Sequence, residues 1–332
     1  MKEQTTRFMT AEQVAQEMDS QLTQDEINLL SLDLVQKIQA GYVAGKDRKI
    51  TPENVYQEAV LEGREVLEGF CSKMFLHGSR VEGLEYLDDC LARMERGESV
   101  LFLPEHRGNL DTPSFYALVK QQSPKYSVIL DRLIYVAGRK LNESSDYIKM
   151  FTEKYARLVI VPRRDLPPPL PNETESQEKE REANEQEAAQ INRAAFRQLV
   201  KLRKAGHVFV LFPLGGRLKE DADNVPVKES MSYMQTFDVC YPISMEGNIL
   251  PPGARMEDER PIQDKVIFRV GRPIESKAFL TEQREIHNTA LASAGGKVEE
   301  DFEQFAVNRL MRMLEQLRLK GDYNTAFPEA LS

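Results

Sequence analysis

The sequence predicts an α/β protein with a mostly parallel or mixed sheet flanked by helices, preceded by a small helical N-terminal domain. Apolar residues recur at helical spacing before residue 75, and short apolar runs rich in β-branched residues recur from Ser99 onward. Most of these runs alternate with helical stretches. Near-continuous apolar strands with helices between them are typical of a parallel sheet that is covered on both faces.

The N-terminal part of the chain carries two helix signals. Residues 25–40 place four apolar side chains on one helix face: Ile27, Leu30, Leu34 and Ile38. The triplet Thr51-Pro52-Glu53 has the N-cap, the proline at the first helical position and the early acid of a helix start, which predicts a second helix. We therefore predict a helical domain over residues 1–75 and an α/β domain over residues 76–332.

The rest of the chain is predicted to supply the sheet and its helices. Six apolar runs are predicted as strands: residues 99–104, 126–130, 157–162, 207–213, 239–245 and 265–271. Residues 166–190 are rich in proline and charge, and we predict a surface loop that leads into a helix ending near Lys204. A last amphipathic helix is predicted over residues 297–319.

Composition excludes several classes of protein. The formal net charge of −9 argues against generic nucleic-acid binding. No apolar run approaches the roughly 18 residues of a membrane span, so any membrane contact would be peripheral. The N-terminus lacks the apolar stretch of a signal peptide, and Cys71, Cys90 and Cys240 lack metal-ligand spacing. We expect a cytoplasmic protein with reduced cysteines buried in its core.

The first candidate for chemistry is the segment PEHRGNLDTP, which follows the strand at 99–104. It places His106 five positions before Asp111, in the turn from a strand to a predicted helix. A carboxylate on one imidazole nitrogen holds the tautomer in which the other nitrogen can accept a proton. The alternative is that Asp111 or Thr112 only caps the helix and that His106 is a surface residue.

Two further segments carry cations just after a predicted strand. In FPLGGRLKE, the supporting turn Gly215-Gly216 lets the backbone approach a ligand closely, while Arg217 and Lys219 suit a phosphate. In VPRRD, Arg163 and Arg164 offer further phosphate contacts. The alternatives are an ordinary Gly-Gly turn and a solvated basic pair. If the segments share one sheet edge, a base lies beside an anion pocket, which suits a hydroxyl-bearing phosphomonoester.

The order of these motifs resembles the glycerol-3-phosphate acyltransferase branch of the H-x-x-x-x-D acyltransferase superfamily, and is most similar to the soluble plant-plastid type and its bacterial relatives. The matching segments are HRGNLD at 106–111, LIYVAGRKL at 133–141, FPLGGRLKE at 212–220 and YPISMEGNILPPG at 241–253. Most of the superfamily has F-P-E-G-[ST]-R in the third segment, where this chain has Leu214. The soluble plant type also lacks that glutamate.

The resemblance implies an activity and roles for these residues. His106 resembles the general base and Asp111 its orienting acid, while Arg163 with Arg164, and Arg217 with Lys219, fall on two phosphate-binding pairs. The implied reaction transfers a fatty-acyl group from acyl carrier protein or coenzyme A to glycerol 3-phosphate. Its product is lysophosphatidate, in the first step of phospholipid synthesis. The implied mechanism needs no metal and no cofactor besides the acyl thioester.

One position departs from the soluble plant type. Asp165 stands where that type has a phosphate-contacting histidine, and because an acid would repel a phosphate, we expect this side chain to turn away from the site. Three other functions stay open from the sequence. They are acylation of another acceptor such as lysophosphatidate, hydrolysis of acyl thioesters, and binding of phosphate or lipid without catalysis.

Overall fold

The computed structural model describes residues 21–43, 49–143, 145–218, 224–253, 258–293 and 300–323. The helices are α1 (Gln24–Ala40), α2 (Arg64–Met74), α3 (Leu84–Glu95), α4 (Asp111–Gln122), α5 (Ser127–Leu130), α6 (Arg139–Glu143), α7 (Asp146–Thr152), α8 (Glu175–Lys204), α9 (Glu229–Met234), α10 (Ser276–Ser293) and α11 (Phe302–Lys320). The strands are β1 (Tyr56–Gln57), β2 (Arg80–Glu82), β3 (Val100–Pro104), β4 (Leu133–Gly138), β5 (Arg157–Ile160), β6 (Val208–Val210), β7 (Val239–Glu246), β8 (Ile267–Val270) and β9 (Ile274–Glu275).

These strands form one mixed sheet in the order β1-β5-β4-β6-β3-β7-β8-β2, with β9 paired to the start of β7. The five strands from β5 to β7 in this order are parallel to one another. At the two ends of the sheet, β1 is antiparallel to β5, β8 is antiparallel to β7, and β2 is parallel to β8. Because the parallel strands point the same way, the segments that follow them meet at one edge of the sheet. The predicted α/β class with a mostly parallel or mixed sheet is confirmed.

Helices cover both faces of the sheet. Along β3, Val100 and Phe102 belong to one buried cluster and Leu101 and Leu103 to the other, as the two-residue period of a strand requires. The first cluster includes buried residues of α1, α2 and α4, and the second includes buried residues of α8, α10 and α11. Strands that are buried on both sides have no polar face, which explains their near-continuous apolar sequences.

Most predicted elements are confirmed, and two are wrong. The run at 126–130 was predicted as a strand, but it forms a single-turn 3₁₀ helix (Pro124–Tyr126) followed by α5. Tyr126, Ile129 and Leu130 are buried while Val128 is exposed, which is a helical rather than an alternating pattern. The strand of this region is β4, a few residues later.

The helix predicted to begin at Thr51 is also wrong. Instead, Val55 accepts a backbone hydrogen bond from Val159 at 2.7 Å, and β1 pairs with β5. The open edge of β5 needs a partner for its backbone groups, and this need outweighs the local helix signal. The helix α2 begins only at Arg64.

The loop predicted over 166–190 is shorter than expected. Thr174 and Gln177 form a capping box, and α8 begins at Glu175 and continues for 30 residues. The division at residue 75 stays a prediction, although buried residues of α1 and α2 pack in the same cluster as the sheet. The three cysteines are free and buried, as predicted. None of the helices that the structure describes is long and apolar enough to cross a bilayer.

Replacing Leu199 by alanine should destabilise the fold, because this side chain is fully buried where α8 packs on the sheet. We expect the free energy of unfolding to fall by about 2–5 kcal/mol, from lost apolar burial and the cavity left behind. The matched control is Phe196→Ala on the same helix, since Phe196 is exposed, with an expected change within about 0.5 kcal/mol. Chemical denaturation of both variants measures the difference, and equal losses would contradict the assigned burial.

Candidate active site

The loops that follow β3, β5 and β6 meet at the carboxyl edge of the sheet and are tied to one another. The N–H of Leu218, after β6, donates to the carbonyl oxygen of His106, after β3, at 2.7 Å. The guanidinium of Arg164, after β5, donates to the carbonyl oxygen of Gly215, after β6. The structure therefore brings together the three segments that the sequence singled out, at the edge where segments that follow parallel strands meet.

The side chains of His106 and Asp111 are paired. Nδ1 of His106 lies 2.9 Å from Oδ2 of Asp111. The same oxygen accepts the backbone N–H groups of Arg107 at 2.6 Å and Gly108 at 2.9 Å. With Nδ1 donating to the carboxylate, Nε2 is the nitrogen that can take a proton. Proton transfer to Nε2 would create an imidazolium that the Asp111 carboxylate stabilises.

The position of Asp111 suits a buried carboxylate. It is the first residue of α4, where the unpaired N–H groups and the helix dipole favour a negative charge. Its side chain is 5% exposed, and the hydrogen bonds at Oδ2 replace those that this oxygen would make with water, while Oδ1 is buried without a hydrogen-bond partner among the described residues. The N-cap of α4 is Leu110, and no side chain caps this helix. The alternative in which Asp111 or Thr112 only caps the helix is therefore wrong.

Phe212 sets the plane of the imidazole. Its ring stacks on that of His106, with 4.4 Å between centroids and 27° between planes. Tyr135 lies beyond Phe212 at 6.3 Å and is tilted by a similar angle. The stacking on one face and the hydrogen bond at Nδ1 together restrain both rotations of the His106 side chain. Sequence reasoning did not assign this role to Phe212, although it is the first residue of the FPLGGR segment.

Asn248 supports the loop that carries His106. Its Nδ2 donates to the carbonyl oxygen of Arg107 at 2.9 Å, and its Oδ1 accepts the N–H of Leu250 at 2.9 Å. A Cβ atom on Gly108 would lie 2.4 Å from that Oδ1. Only glycine lets the two segments approach this closely. The fourth matching segment, YPISMEGNILPPG, thus contributes a supporting side chain after β7.

An apolar pocket adjoins the His–Asp pair. Asp111 and Phe212 form part of its wall, and the remaining wall includes Phe102, Phe115, Leu133, Tyr135, Ile243 and Phe268. Glu105 also lines it and is almost fully buried; its carboxylate accepts the N–H of Met245 at 3.0 Å and lies 3.4 Å from Nε of Arg318. Burial raises the pKa of Glu105 above its ordinary value, although both neighbours oppose the shift. The enclosed space is about 20 Å³, the size of one water molecule, so an acyl chain enters here only if the wall opens.

The predicted cations differ in their surroundings. Arg217 is ion-paired with Glu259, a buried carboxylate that sequence reasoning missed. Arg164 is held against Gly215, Arg163 is exposed in a 3₁₀ turn (Arg163–Asp165), and Lys219 lies outside the described residues. The structure thus places Arg164 and Arg217 at the edge that carries His106, where they can hold an anion.

Asp165 is ion-paired with Lys140, which follows β4, at 3.1 Å. Lys140 was not singled out from the sequence, although it lies within the LIYVAGRKL segment. Its charge offsets that of the acid in this position. The expectation that Asp165 turns away from the site stays a prediction.

Within the described part of the chain, no group of three or more His, Cys, Asp or Glu side chains could hold a metal ion. No protein-family model matches the chain, and no curated protein does. One similar solved structure is that of the 1-acyl-sn-glycerophosphate (LPA) acyltransferase PlsC from Thermotoga maritima. Its TM-score is 0.42 and its sequence identity 14%, over 92% of this chain and 95% of that chain. At this identity and TM-score, the likeness does not assign a function to the chain.

The two glycines of the turn should respond differently to alanine. Gly215 has φ +65°, and a Cβ there would lie 2.5 Å from Cγ2 of Val227, whereas a Cβ on Gly216 meets nothing within 4 Å. We expect Gly215→Ala to lower the free energy of unfolding by about 1–3 kcal/mol, through backbone strain. Gly216→Ala should change it by no more than about 0.5 kcal/mol. Thermal denaturation compares the two, and an equally large loss in Gly216→Ala would contradict the turn geometry.

Proposed function

We propose that this protein is an acyltransferase of the H-x-x-x-x-D superfamily that transfers a fatty-acyl group from an acyl thioester to glycerol 3-phosphate. The observation that carries the proposal is the His106–Asp111 pair at the sheet edge that also holds Arg164 and Arg217. A base beside fixed cations suits an acceptor that has a hydroxyl group close to a phosphate. The acyl chain of the donor is proposed to enter beside the base by opening the adjoining pocket, whose wall is apolar and whose volume is about 20 Å³ in this structure.

In the proposed reaction, Nε2 of His106 removes the proton of the acceptor hydroxyl as its oxygen attacks the thioester carbonyl carbon. Asp111 stabilises the imidazolium. Backbone N–H groups at the sheet edge are the donors that we expect for the tetrahedral oxyanion. Collapse of this intermediate breaks the carbon–sulfur bond, and the leaving thiolate takes the proton from His106. The products are lysophosphatidate and a free thiol, with no covalent intermediate on the enzyme.

Arg217 and Arg164, with Arg163 and Lys219, are the groups that we propose to hold the acceptor phosphate. A guanidinium matches the geometry of a phosphate with paired N–H donors, and a held phosphate fixes the distance from the hydroxyl to His106. The acyl donor in this proposal is acyl carrier protein or coenzyme A. We place the enzyme in the cytoplasm, in solution or peripherally on a membrane.

Lysophosphatidate is the second candidate acceptor, because it presents the same phosphate close to a free hydroxyl. The same cations and the same base would serve both acceptors.

Release of free thiol from acyl carrier protein and coenzyme A thioesters, with each acceptor in turn, tests this function. We expect release to depend on glycerol 3-phosphate, and His106→Ala to lower it by about 10²–10⁴-fold, the usual contribution of a general base. Calorimetric binding of glycerol 3-phosphate should be retained in that variant. The control is His207→Gln, since His207 precedes β6 at the opposite edge of the sheet.

The outcomes of this assay separate the alternatives. Faster release with lysophosphatidate than with glycerol 3-phosphate would assign the second acceptor. Release that needs no acceptor would assign a thioester hydrolase. Near-normal acylation by His106→Ala would contradict the role of the base, and acceptor binding without any release would indicate a non-catalytic binding protein.

Replacing Arg217 by lysine should affect phosphate recognition more than chemistry. Lysine keeps a charge beside Glu259 but loses the paired N–H donors of the guanidinium. We expect the KM for glycerol 3-phosphate to rise by about 10-fold or more, which corresponds to one charge-assisted hydrogen bond. Turnover at saturation should change much less. Steady-state kinetics with glycerol as the second acceptor provide the control, and equal effects on both acceptors would argue against phosphate binding by Arg217.

A further inference from the structure

Glu259 is a buried carboxylate that contacts two of the site loops at once. Its side chain is only 2% exposed. One carboxylate oxygen pairs with the guanidinium of Arg217, and the other accepts a hydrogen bond from Nδ2 of Asn109 at 2.8 Å. Glu259 itself belongs to neither loop, because it lies in the segment between β7 and β8. The carboxylate therefore joins the loop after β6 to the loop after β3.

The burial of Glu259 restricts Arg217. If the guanidinium moved away, it would leave a buried side-chain oxygen of Glu259 without its hydrogen-bond donor and with little access to water, which is unfavourable. Leu214 stands where the F-P-E-G-[ST]-R motif has its glutamate, and it is buried and uncharged. The carboxylate that pairs with Arg217 therefore comes from a different segment, as Glu259. Since NH1 of Arg217 is bound to Glu259, other N–H groups of the same guanidinium can face an anion.

Through Asn109, Glu259 also restricts the loop that carries His106. Asn109 lies between His106 and Asp111 in the loop whose backbone N–H groups bind the Asp111 carboxylate. Glu259 thus holds the loop of the base and the cation in one hydrogen-bonded network. Because Asp111 and Glu259 both bind this loop through buried hydrogen bonds, the loop has fewer accessible conformations than one held by solvent-exposed contacts.

We propose that Glu259 is a positioning residue, which holds Arg217 and the His106 loop at the separation that a small phosphomonoester acceptor needs. This inference rests on the proposed function for its kinetic consequence. The structural claim is that Glu259 fixes the orientation of Arg217 for anion binding, and this claim does not depend on which acceptor is used. Glu259 touches neither substrate in this account and acts through Arg217 and Asn109.

Three replacements of Glu259 separate geometry from charge. Glutamine keeps the length, can accept from Arg217 through its oxygen, and can donate to Asn109 if that amide turns over. Aspartate keeps the charge but is one methylene shorter, so it cannot contact both partners. Alanine removes both contacts. If Glu259 acts by positioning, kcat/KM for glycerol 3-phosphate should stay within about threefold in Glu259→Gln and fall by about 10-fold or more in Glu259→Asp and Glu259→Ala.

A double-variant comparison tests whether the effect passes through Arg217. The quantity measured is the ratio of kcat/KM for glycerol 3-phosphate to that for glycerol. Glu259→Ala should lower this ratio by about 10-fold in the otherwise unchanged protein and by less than about twofold in the Arg217→Gln background, because contacting residues are not additive. The control is Glu275→Ala, which removes a carboxylate from Arg93 at the amino edge of the sheet and should leave the ratio unchanged.

Calorimetric titration with inorganic phosphate keeps this proposal separate from the proposed function. If the protein releases no thiol with any acceptor, the acyltransferase account fails, but phosphate should still bind more weakly to Glu259→Ala and Glu259→Asp than to Glu259→Gln. Full activity and phosphate affinity in Glu259→Ala would overturn the proposal. An active Glu259→Asp variant together with an inactive Glu259→Gln variant would also overturn it, because Glu259 would then act by neutralising the charge of Arg217. Absence of phosphate binding to the unchanged protein would overturn it as well.

Discussion

The site depends on one carboxylate oxygen of Asp111. That oxygen accepts the imidazole of His106 and two consecutive backbone N–H groups, and it does so at the first residue of α4. The same interactions hold the loop, orient the ring and keep a negative charge behind it. Because the helix begins at Asp111, the carboxylate lies where unpaired N–H groups favour it. Asp111 therefore both begins α4 and orients the imidazole of His106.

The sheet supplies the remaining geometry. Parallel strands bring the ends of β3, β5 and β6 to one edge, where backbone and side-chain hydrogen bonds tie their loops together. On a chain with a net charge of −9, two cations of this edge are paired with carboxylates, while Arg163 and Arg164 are exposed. Arg217 has Glu259 and Lys140 has Asp165. Anion recognition in such a site depends on the orientation of each cation as much as on the number of charges.

The predictions from sequence succeeded where the signal was local and periodic. The strands β3, β5, β6 and β8 lie within predicted apolar runs, and β7 extends one residue beyond its run. Of the four side chains that the spacing placed on one face of α1, Ile27, Leu34 and Ile38 are buried and Leu30 is half-buried. The run at 126–130 was mistaken for a strand because apolar content alone does not distinguish a short buried helix from a strand. The segment after Thr51 has a sound helix signal, but β5 offers it backbone partners that only the folded sheet provides.

The sequence by itself determined the class of fold, the His–Asp spacing and the cationic segments, because strand period, loop position and residue type are properties of neighbours along the chain. The tertiary structure decided the partners of those residues. Phe212 stacks on His106 from the loop after β6, about a hundred residues away in sequence. Glu259 contacts Arg217 and Asn109 from a segment without a recognisable motif. Contacts between distant segments follow from how the sheet and its loops pack, and no local pattern encodes them.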